Sequence, residues 1–417
     1  MEKLSHKLRF PGFNDKYERK SFDDIFLFST GKNIKQSEAS SIFETPCVRY
    51  GELYHMYKEV ISEVYNRTNI DKSELVFSSG NEVLLPSAGE DPFDIGSASA
   101  LTIKDVAIGR TINVLRPKIE NIYSPIFVSY YINKCLKHKI ASLAKGVSIS
   151  NVYNSDLKTL EINLPSLPEQ TKIASFLSTV DEKIQHLKKQ LSLQEQYKKG
   201  VMQKIFSREI RFKDENGIDF PEWEYKSLGE LGVFQTSSID KLSNPEEQEV
   251  FLVNYMNVYR HEKINNFTVK DFQVVTAKVN QINSCNLLKG DILFTPSSET
   301  PEDIGHSVVI FEDLENAVFS YHLMRWRPQI EIDILFSHYF CNTNDVLKQI
   351  SKLATGSTRF TISVKAFSSI LVGLPHLLEQ QKIAYFLSSI DDKIEKNKEQ
   401  IRKMELWKKG LLQQMFV

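Results

Sequence analysis

Two stretches of the chain carry apolar residues at the spacing of a long amphipathic helix. In the first stretch, steps of four and three residues connect Ile173, Leu177, Val180, Ile184, Leu187 and Leu191. In the second, similar steps connect Ile383, Leu387, Ile390, Ile394, Asn397 and Ile401. A seam with this period is typical of helices that pair as a coiled coil. The pattern predicts two long helices, and the polar Asn397 would help to fix their register.

The ends of both helices carry recognisable signals. Pro165 and Pro168 mark the first start, where Ser166 and Glu169 fit a capping box. The second helix has His376 at the cap position, which predicts a weaker cap. Further apolar residues near the distal ends would either dock partners or close the core of a globular domain. They are Val201, Met202, Ile205, Phe206, Leu411, Leu412, Met415 and Phe416.

The helical stretches belong to a long internal repeat. Residues 164–206 and 374–416 align without a gap at an offset of 210, and 22 of the 43 positions are identical. Upstream the similarity is weaker: CVRYGELY at 47–54 resembles LVNYMNVY at 252–259. The chain is therefore two copies of one unit, each a diverged globular part followed by a matched helix. Matched helices suggest a shared structural task, and diverged globular parts suggest that each copy recognises something different.

The globular parts predict a mixed α/β (α+β) fold. Short β-rich runs such as SELVFSSG and DILFTPSS alternate with the helical stretches 124–142 and 334–353. The first long helix leads from one globular part to the other, and the second can return. We therefore expect an antiparallel coiled coil and an internal pseudo-twofold repeat. Ordinary amphipathic helices in a bundle are the alternative.

Composition and charge narrow the class of protein. No apolar run approaches the ~18 residues of a membrane span, and MEKLSHKLRF at the N-terminus lacks the apolar core of a secretory signal. The four cysteines are far apart and form no zinc or disulfide pattern, so we expect a cytoplasmic protein without a bound metal. A net charge of −1 counts against simple DNA binding. If the chain nevertheless binds DNA, either its basic residues cluster on one face, or partner subunits neutralise most of the DNA phosphates.

Polar loops beside the β-rich runs are the candidate binding sites. Small hydroxylated residues and glycine let a loop approach a phosphate or a base edge, and Arg, Lys and Asn can read bases in the major groove. The candidates for DNA contact are Arg49, Tyr50, Tyr54, Ser87, Gly89, Lys145, Gly146, Ser148, Asn254, Tyr255, Asn257, Ser297, Ser298, Thr355, Gly356, Ser357, Thr358 and Arg359.

Known catalytic motifs are missing from the sequence. It contains no GxxxxGK[ST] phosphate loop, no GxSxG elbow and no HExxH. Asp91-Pro92-Phe93 lacks the second proline of the N-P-P-[FY] run found in methyltransferases that act on base amino groups. We therefore predict no catalytic residue in this chain.

The motif L-P-x-L-x-E-Q-x-K-I-A-x-F-L-S, present twice, resembles the specificity subunits of type I restriction-modification systems. The resemblance implies target-recognition domains at 1–165 and 209–375 and spacer helices at 166–208 and 376–417. Such a subunit is not catalytic. It reads a bipartite, asymmetric site in double-stranded DNA and directs methylation and restriction by partners. These are two methyltransferase subunits and restriction (helicase-nuclease) subunits, and they hold the S-adenosylmethionine, ATP and Mg.

The resemblance also implies roles for the repeated motif in the spacer or in subunit contact. The residues concerned are Glu169, Gln170, Ile173, Phe176, Glu379, Gln380, Ile383 and Phe386. Two other functions stay open at this point. The chain could be a coiled-coil scaffold that joins two protein-binding domains, or a stand-alone or decoy DNA-binding subunit without enzyme partners.

Overall fold

The computed structural model describes residues 8–240 and 244–416, which form two compact units. Unit 1 consists of Met1–Lys189 with Glu399–Val417, and unit 2 is Gln190–Lys398. Unit 1 therefore combines the first part of the chain with its last segment. Among the described residues, no helix is both long and apolar enough to cross a membrane.

Unit 1 has a mixed α/β architecture. Its strands, β1 to β13 in chain order, are Glu18–Ser21, Phe26–Thr30, Thr45–Val48, Val60–Ile61, Asn66–Thr68, Phe77–Ser79, Glu82–Pro86, Ala88–Gly89, Ser99–Leu101, Lys104–Ile108, Ile112–Pro117, Ser150–Asn151 and Glu161–Leu164. Its short helices, α1 to α6, are Phe22–Ile25, Glu52–His55, Pro92–Ile95, Pro125–Tyr131, Lys137–Leu143 and Asn154–Leu157. The strands form a sheet of order β2-β11-β7-β9-β4, a second of order β5-β3-β10-β6, and two ribbons, β1-β13 and β8-β12.

Unit 2 repeats much of this order after the long helix α7, Leu167–Phe206. Its strands, β14 to β24, are Glu224–Ser227, Gly232–Thr236, Gln248–Val253, Gln273–Ala277, Ile292–Phe294, Ser297–Ser298, Ser307–Val309, Ala317–Phe319, Met324–Pro328, Phe360–Thr361 and Leu371–Leu374. Its short helices, α8 to α13, are Leu228–Leu231, Tyr255–Tyr259, Val279–Cys285, Ile334–Phe340, Asn344–Leu353 and Val364–Ser368. The long helix α14, Leu377–Met415, follows.

The strand pairing confirms the internal repeat. The antiparallel trio β2-β11-β7 of unit 1 corresponds to β15-β22-β18 of unit 2. The ribbon β1-β13 corresponds to β14-β24, and β8-β12 corresponds to β19-β23. Each unit therefore contains the same frame, although the remaining strands differ in number and pairing.

The long helices α7 and α14 run antiparallel within each unit. In unit 1, Asp181 pairs with Lys408 and Lys188 with Glu405. In unit 2, Gln194 bonds to Asn397 and Lys198 pairs with Asp391. The predicted seam is buried between the helices and the core, apart from Leu191, which is half-buried. The predicted fold class, with its repeat and its antiparallel helices, is thereby confirmed.

The distal apolar residues of the long helices close the cores of the globular parts. Leu411, Met415 and Phe416 lie in the main core of unit 1, and the Phe416 ring contacts Phe127 at 5.4 Å. Val201 and Ile205 lie in the core of unit 2. Of the two roles that the sequence left open for these residues, the structure supports core packing.

Two predicted helical stretches have interruptions. The stretch 124–142 contains a π-helical turn, Ile132–Leu136, between α4 and α5. The stretch 334–353 breaks at Thr343, whose side chain caps α12 by accepting from the Val346 amide. The hydrophobic period alone did not show these breaks, because the apolar face continues on both sides of each one.

Candidate nucleic-acid interface

Two buried glutamates of the repeated motif anchor the long helices. The carboxylate of Glu169 accepts two bonds from the Arg9 guanidinium, at 2.8 and 2.6 Å, and one from the Tyr17 hydroxyl at 3.3 Å. Glu379 accepts from Arg211 at 3.2 and 3.0 Å and from the Trp223 indole. Arg9 thus engages both carboxylate oxygens of Glu169, and the capping box expected at Ser166 stays a prediction.

The glutamines that follow connect each long helix to an earlier helix of its unit. Gln170 accepts from the Ser124 amide at 2.9 Å and donates to the Pro165 carbonyl at 2.9 Å. Gln380 accepts from the Asp333 amide at 3.0 Å and donates to the Pro375 carbonyl. Because Ser124 and Asp333 are the N-caps of α4 and α11, each glutamine fixes where a second helix begins.

The apolar members of the motif also pack within their own units. Ile173 and Ile383 lie in the two main cores. Phe176 meets Phe10 edge to face at 5.5 Å, and Phe386 meets Phe212 at 5.7 Å. All eight residues predicted for the spacer or for subunit contact thus build the joint between a helix and its globular part.

A Tyr-Asp-Lys cluster with a buried tyrosine and a half-buried ion pair recurs in the two units. In unit 1, the Tyr130 hydroxyl donates to Asp181 at 2.5 Å and Lys408 pairs with the same carboxylate at 2.7 Å. In unit 2, Tyr339 donates to Asp391 and Lys198 pairs with it at 2.6 Å. Burial raises the pKa of both tyrosines, so each stays protonated and donates.

A ribbon brings two predicted loops of unit 1 together. Strand β8 pairs with β12, so that Gly89 lies opposite Ser150. The hairpin beyond it is closed by mutual backbone bonds between Lys145 and Asn151, at 2.9 and 2.8 Å. Gly146 has φ +133°, and a Cβ there would lie 2.0 Å from the carbonyl oxygen of Ile149. Only glycine fits, and residues 145–149 are exposed.

The same hairpin occurs in unit 2. Thr355 and Thr361 exchange backbone bonds of 2.9 Å, and Ser298 lies opposite Phe360. Gly356 has φ +147°, and a Cβ there would again lie 2.0 Å from a carbonyl, that of Arg359. We name residues 145–151 and 355–361 the reading hairpins of units 1 and 2. Their tips include the exposed candidates Lys145, Gly146, Ser148, Thr355, Gly356, Ser357, Thr358 and Arg359.

Three segments that carry predicted DNA contacts meet at the hairpin of unit 2; they contain Tyr255, Ser297 and Arg359. The Arg359 Nη2 donates to Ser297 Oγ at 3.2 Å, and the Tyr255 hydroxyl donates to the Ser297 carbonyl at 2.9 Å. The Tyr255 ring stacks on Tyr259 with centroids 5.8 Å apart. In unit 1 the matching rings, Tyr50 and Tyr54, are 6.4 Å apart.

Several candidates hold loops in place and present little free side chain. The Arg49 Nε donates to the buried Glu52 at 2.6 Å. Asn254 caps α9, and Asn257 accepts from the Asn254 amide at 2.8 Å. Gly89, Ser297 and Ser298 are buried, and Ser87 is half-buried.

Sequence reasoning missed a polar chain beside the Tyr255 ring. The Tyr259 hydroxyl donates to Asp303 at 3.1 Å, His306 Nε2 is 3.0 Å from the same carboxylate, and His306 Nδ1 is 3.2 Å from His261 Nε2. The repeat contained a signal for Tyr259, because LVNYMNVY aligns it with the candidate Tyr54. Within residues 8–240 and 244–416, no group of three or more His, Cys, Asp or Glu could hold a metal ion.

Two repeated α/β units, each with an exposed glycine-dependent hairpin and a pair of neighbouring tyrosine rings, define a protein with two similar candidate recognition domains. The sequence matches the family described as Type I restriction modification DNA specificity domain at residues 14–195 and again at 221–406. The chain therefore belongs to this family. Membership assigns it the role of a DNA specificity subunit in a type I restriction-modification complex.

Individual relatives agree with this assignment. The type I restriction enzyme MjaVIII specificity subunit of Methanocaldococcus jannaschii is 30% identical over 289 residues, which cover 66% of this chain and 66% of the relative. The putative MjaX specificity subunit of the same organism is 30% identical over 318 residues, 71% of this chain and 68% of the relative. The alignments thus span about two thirds of these relatives.

A solved structure shares the fold. The S subunit of a type I restriction-modification system from M. genitalium has a TM-score of 0.61 and 17% sequence identity, and the match covers 99% of each chain. At this identity the likeness shows the architecture alone.

Proposed function

We propose that the chain reads a bipartite, asymmetric site in double-stranded DNA, one half-site with each unit. The observation that carries the proposal is the pair of reading hairpins. They share a backbone that requires Gly146 and Gly356, but their tips carry different side chains. A frame that both units share, with different tips, suits two similar surfaces that recognise two different sequences.

The enzymatic work belongs to partners in this proposal. Two methyltransferase subunits and restriction (helicase-nuclease) subunits methylate or cleave the DNA, and they hold the S-adenosylmethionine, ATP and Mg. This chain recognises the target DNA sequence and contributes no catalytic residue. Its net charge of −1 fits a subunit whose partners share the neutralisation of the phosphates. The four free cysteines fit a reducing cytoplasm.

The test is methylome sequencing of the host with and without this gene. We expect the deletion to abolish one bipartite motif methylated at adenine, and the intact gene to restore it. If every methylated motif survives the deletion, the specificity role in that host is refuted. Purified chain that binds DNA but no methyltransferase would favour a decoy, and chain that binds other proteins but no DNA would favour a scaffold.

A further inference from the structure

The two reading hairpins differ in the chemistry of three matched positions. In unit 1 the positions after the glycine hold Val147, Ser148 and Ile149, and in unit 2 they hold Ser357, Thr358 and Arg359. The closing backbone bonds and the glycine geometry are the same in both. The side chains, rather than the shape of the loop, therefore distinguish one tip from the other.

A hydrogen bond to Ser297 of its own unit positions the guanidinium of Arg359. Ser297 Oγ accepts one of its N–H groups at 3.2 Å, and Ser297 is itself held through its carbonyl by the Tyr255 hydroxyl. One bond uses one of the five donors of the guanidinium, so the rest of the planar fork can serve a ligand. A fork held in this way suits O6 and N7 of guanine, which accept two bonds in the major groove.

The tip of unit 1 has no such donor. Val147 is fully exposed, and Ile149 is 57% exposed. Single exposed apolar residues are common on protein surfaces. These two, however, stand at the positions matching Ser357 and Arg359 in the other hairpin. In the major groove, the thymine methyl is the group that an aliphatic side chain can recognise.

We infer that the two tips recognise different bases: Arg359 a guanine in the half-site of unit 2, and Val147 with Ile149 a thymine in the half-site of unit 1. The inference rests on the proposed function and names the bases that this function would read. It assigns specificity to three side chains whose backbone setting is common to both units.

The first test substitutes Arg359 in the chain and assembles the variant with the host's methyltransferase subunits. Methylome sequencing then reads the methylated motif. Arg359→Ala should relax one guanine position of one half-site, where discrimination falls roughly 10-fold or more. Arg359→Lys should relax the same position, because a lysine lacks the fork. Arg402→Ala is the matched control, since this exposed arginine bonds to Glu399 of its own helix. It should leave the motif unchanged.

The second test grafts the tip of unit 2 onto unit 1 by Val147→Ser, Ser148→Thr and Ile149→Arg. Ser87 matches Ser297 at the offset of 210, so the grafted arginine has a hydroxyl partner available. We expect a guanine to replace a thymine in the half-site of unit 1, with the other half-site unchanged.

The outcomes separate the inference from the proposed function. If Arg359→Ala leaves both half-sites unchanged while gene deletion abolishes the motif, the inference is overturned and the proposed function stands. If Arg359→Lys keeps the motif and Arg359→Ala weakens methylation uniformly, the arginine contacts phosphate and the inference is likewise overturned. If no motif depends on the gene at all, the proposed function itself is refuted.

Discussion

At the scale of single residues, the repeated motif is explained by buried polar contacts. Glu169 and Glu379 are fully buried, and each is compensated by an arginine from a distant part of the chain. An ionised carboxylate in the interior is tolerated only with such a partner. The identity of the motif in the two copies therefore follows from the joint that it builds, which both units need in the same form.

Arg9→Met should destabilise the protein strongly. Among the described residues, it leaves the buried Glu169 carboxylate with the Tyr17 hydroxyl as its side-chain donor, and loss of one partner of a buried pair costs about 3–5 kcal/mol. Urea denaturation measures the change. Arg19→Met is the control, because Arg19 pairs with Glu161 on the surface and its loss should change little. Equal effects of both variants would contradict this view of the joint.

Acid should destabilise unit 2 through His338. Burial lowers the pKa of His338, and the nearby Lys198 lowers it further. Below the ordinary value of about 6.5, the unfolded chain takes up a proton that the folded chain resists. This contribution to the free energy of unfolding is complete above pH 6.5. It is lost as the pH falls toward the folded pKa, at up to about 1.4 kcal/mol per pH unit.

His338→Gln should reduce that pH dependence, as measured by urea denaturation between pH 5 and 8, and leave the part that comes from His261, whose pKa is also lowered. His186→Gln removes an exposed histidine of α7 and should leave the dependence intact. If the free energy of unfolding of His338→Gln depends on pH as steeply as that of the wild type, other groups cause the dependence.

Residue types alone could not separate exposed candidates for base contact from residues that hold the fold together. Arg49 and Arg359 were equal candidates by sequence, yet Arg49 is tied to Glu52 and Arg359 stands on an exposed tip. Asn254 and Asn257 suit base contact chemically but are used to cap α9. Such assignments depend on tertiary partners, which the sequence does not display.

At the scale of elements, periodic patterns were predictable and long-range pairing was not. The helical seams follow from the repetition of apolar residues, and every position except Leu191 is buried. The ribbons β8-β12 and β19-β23 join strands about 60 residues apart, and each strand is only two residues long. Runs this short carry no period, so the meeting of the predicted loops became visible only in the structure.

The polar position in the seam should cost stability. Asn397 is buried and its Nδ2 donates to Gln194 at 3.1 Å, whereas the matching position in α7 is Leu187. Asn397→Leu buries an aliphatic side chain in place of the polar contacts of Asn397, so the free energy of unfolding should rise by about 1 kcal/mol. Leu187→Asn, the reverse change, should lower it by about 3 kcal/mol. Urea denaturation of both variants decides, and a loss of stability in Asn397→Leu would contradict the prediction.

At the scale of the whole molecule, each long helix supplies a lysine that pairs with an aspartate on the other long helix. Asp181 of α7 takes its lysine from α14, and Asp391 of α14 takes its lysine from α7. Positions 181 and 391 are related by the offset of 210, and so are 198 and 408. Each unit is therefore completed by a helix segment that the chain delivers from the other copy. The close similarity of the two helical stretches reflects this reciprocal fit.

The length of the helices should set the unread spacer of the proposed DNA site. Insertions must enter both helices, after Lys189 in α7 and after Lys398 in α14, because the two are paired within each unit. Four added residues lengthen a helix by about 6 Å and advance it by about 40°. One base pair adds about 3.4 Å and about 34°. Paired four-residue insertions should therefore lengthen the methylated motif by one or two base pairs and leave both half-sites unchanged.

Paired insertions of seven residues provide the control for this geometry. They add about 10.5 Å, close to three base pairs, but turn the helix by only about −20°, whereas three base pairs turn DNA by about 100°. The added helix length then matches three base pairs but the added rotation does not. Methylation should therefore fall, and no motif with a different spacer length should appear. Methylome sequencing reads both outcomes. If either insertion altered the bases of a half-site, the helices would take part in base recognition, and their role as a spacer would be refuted.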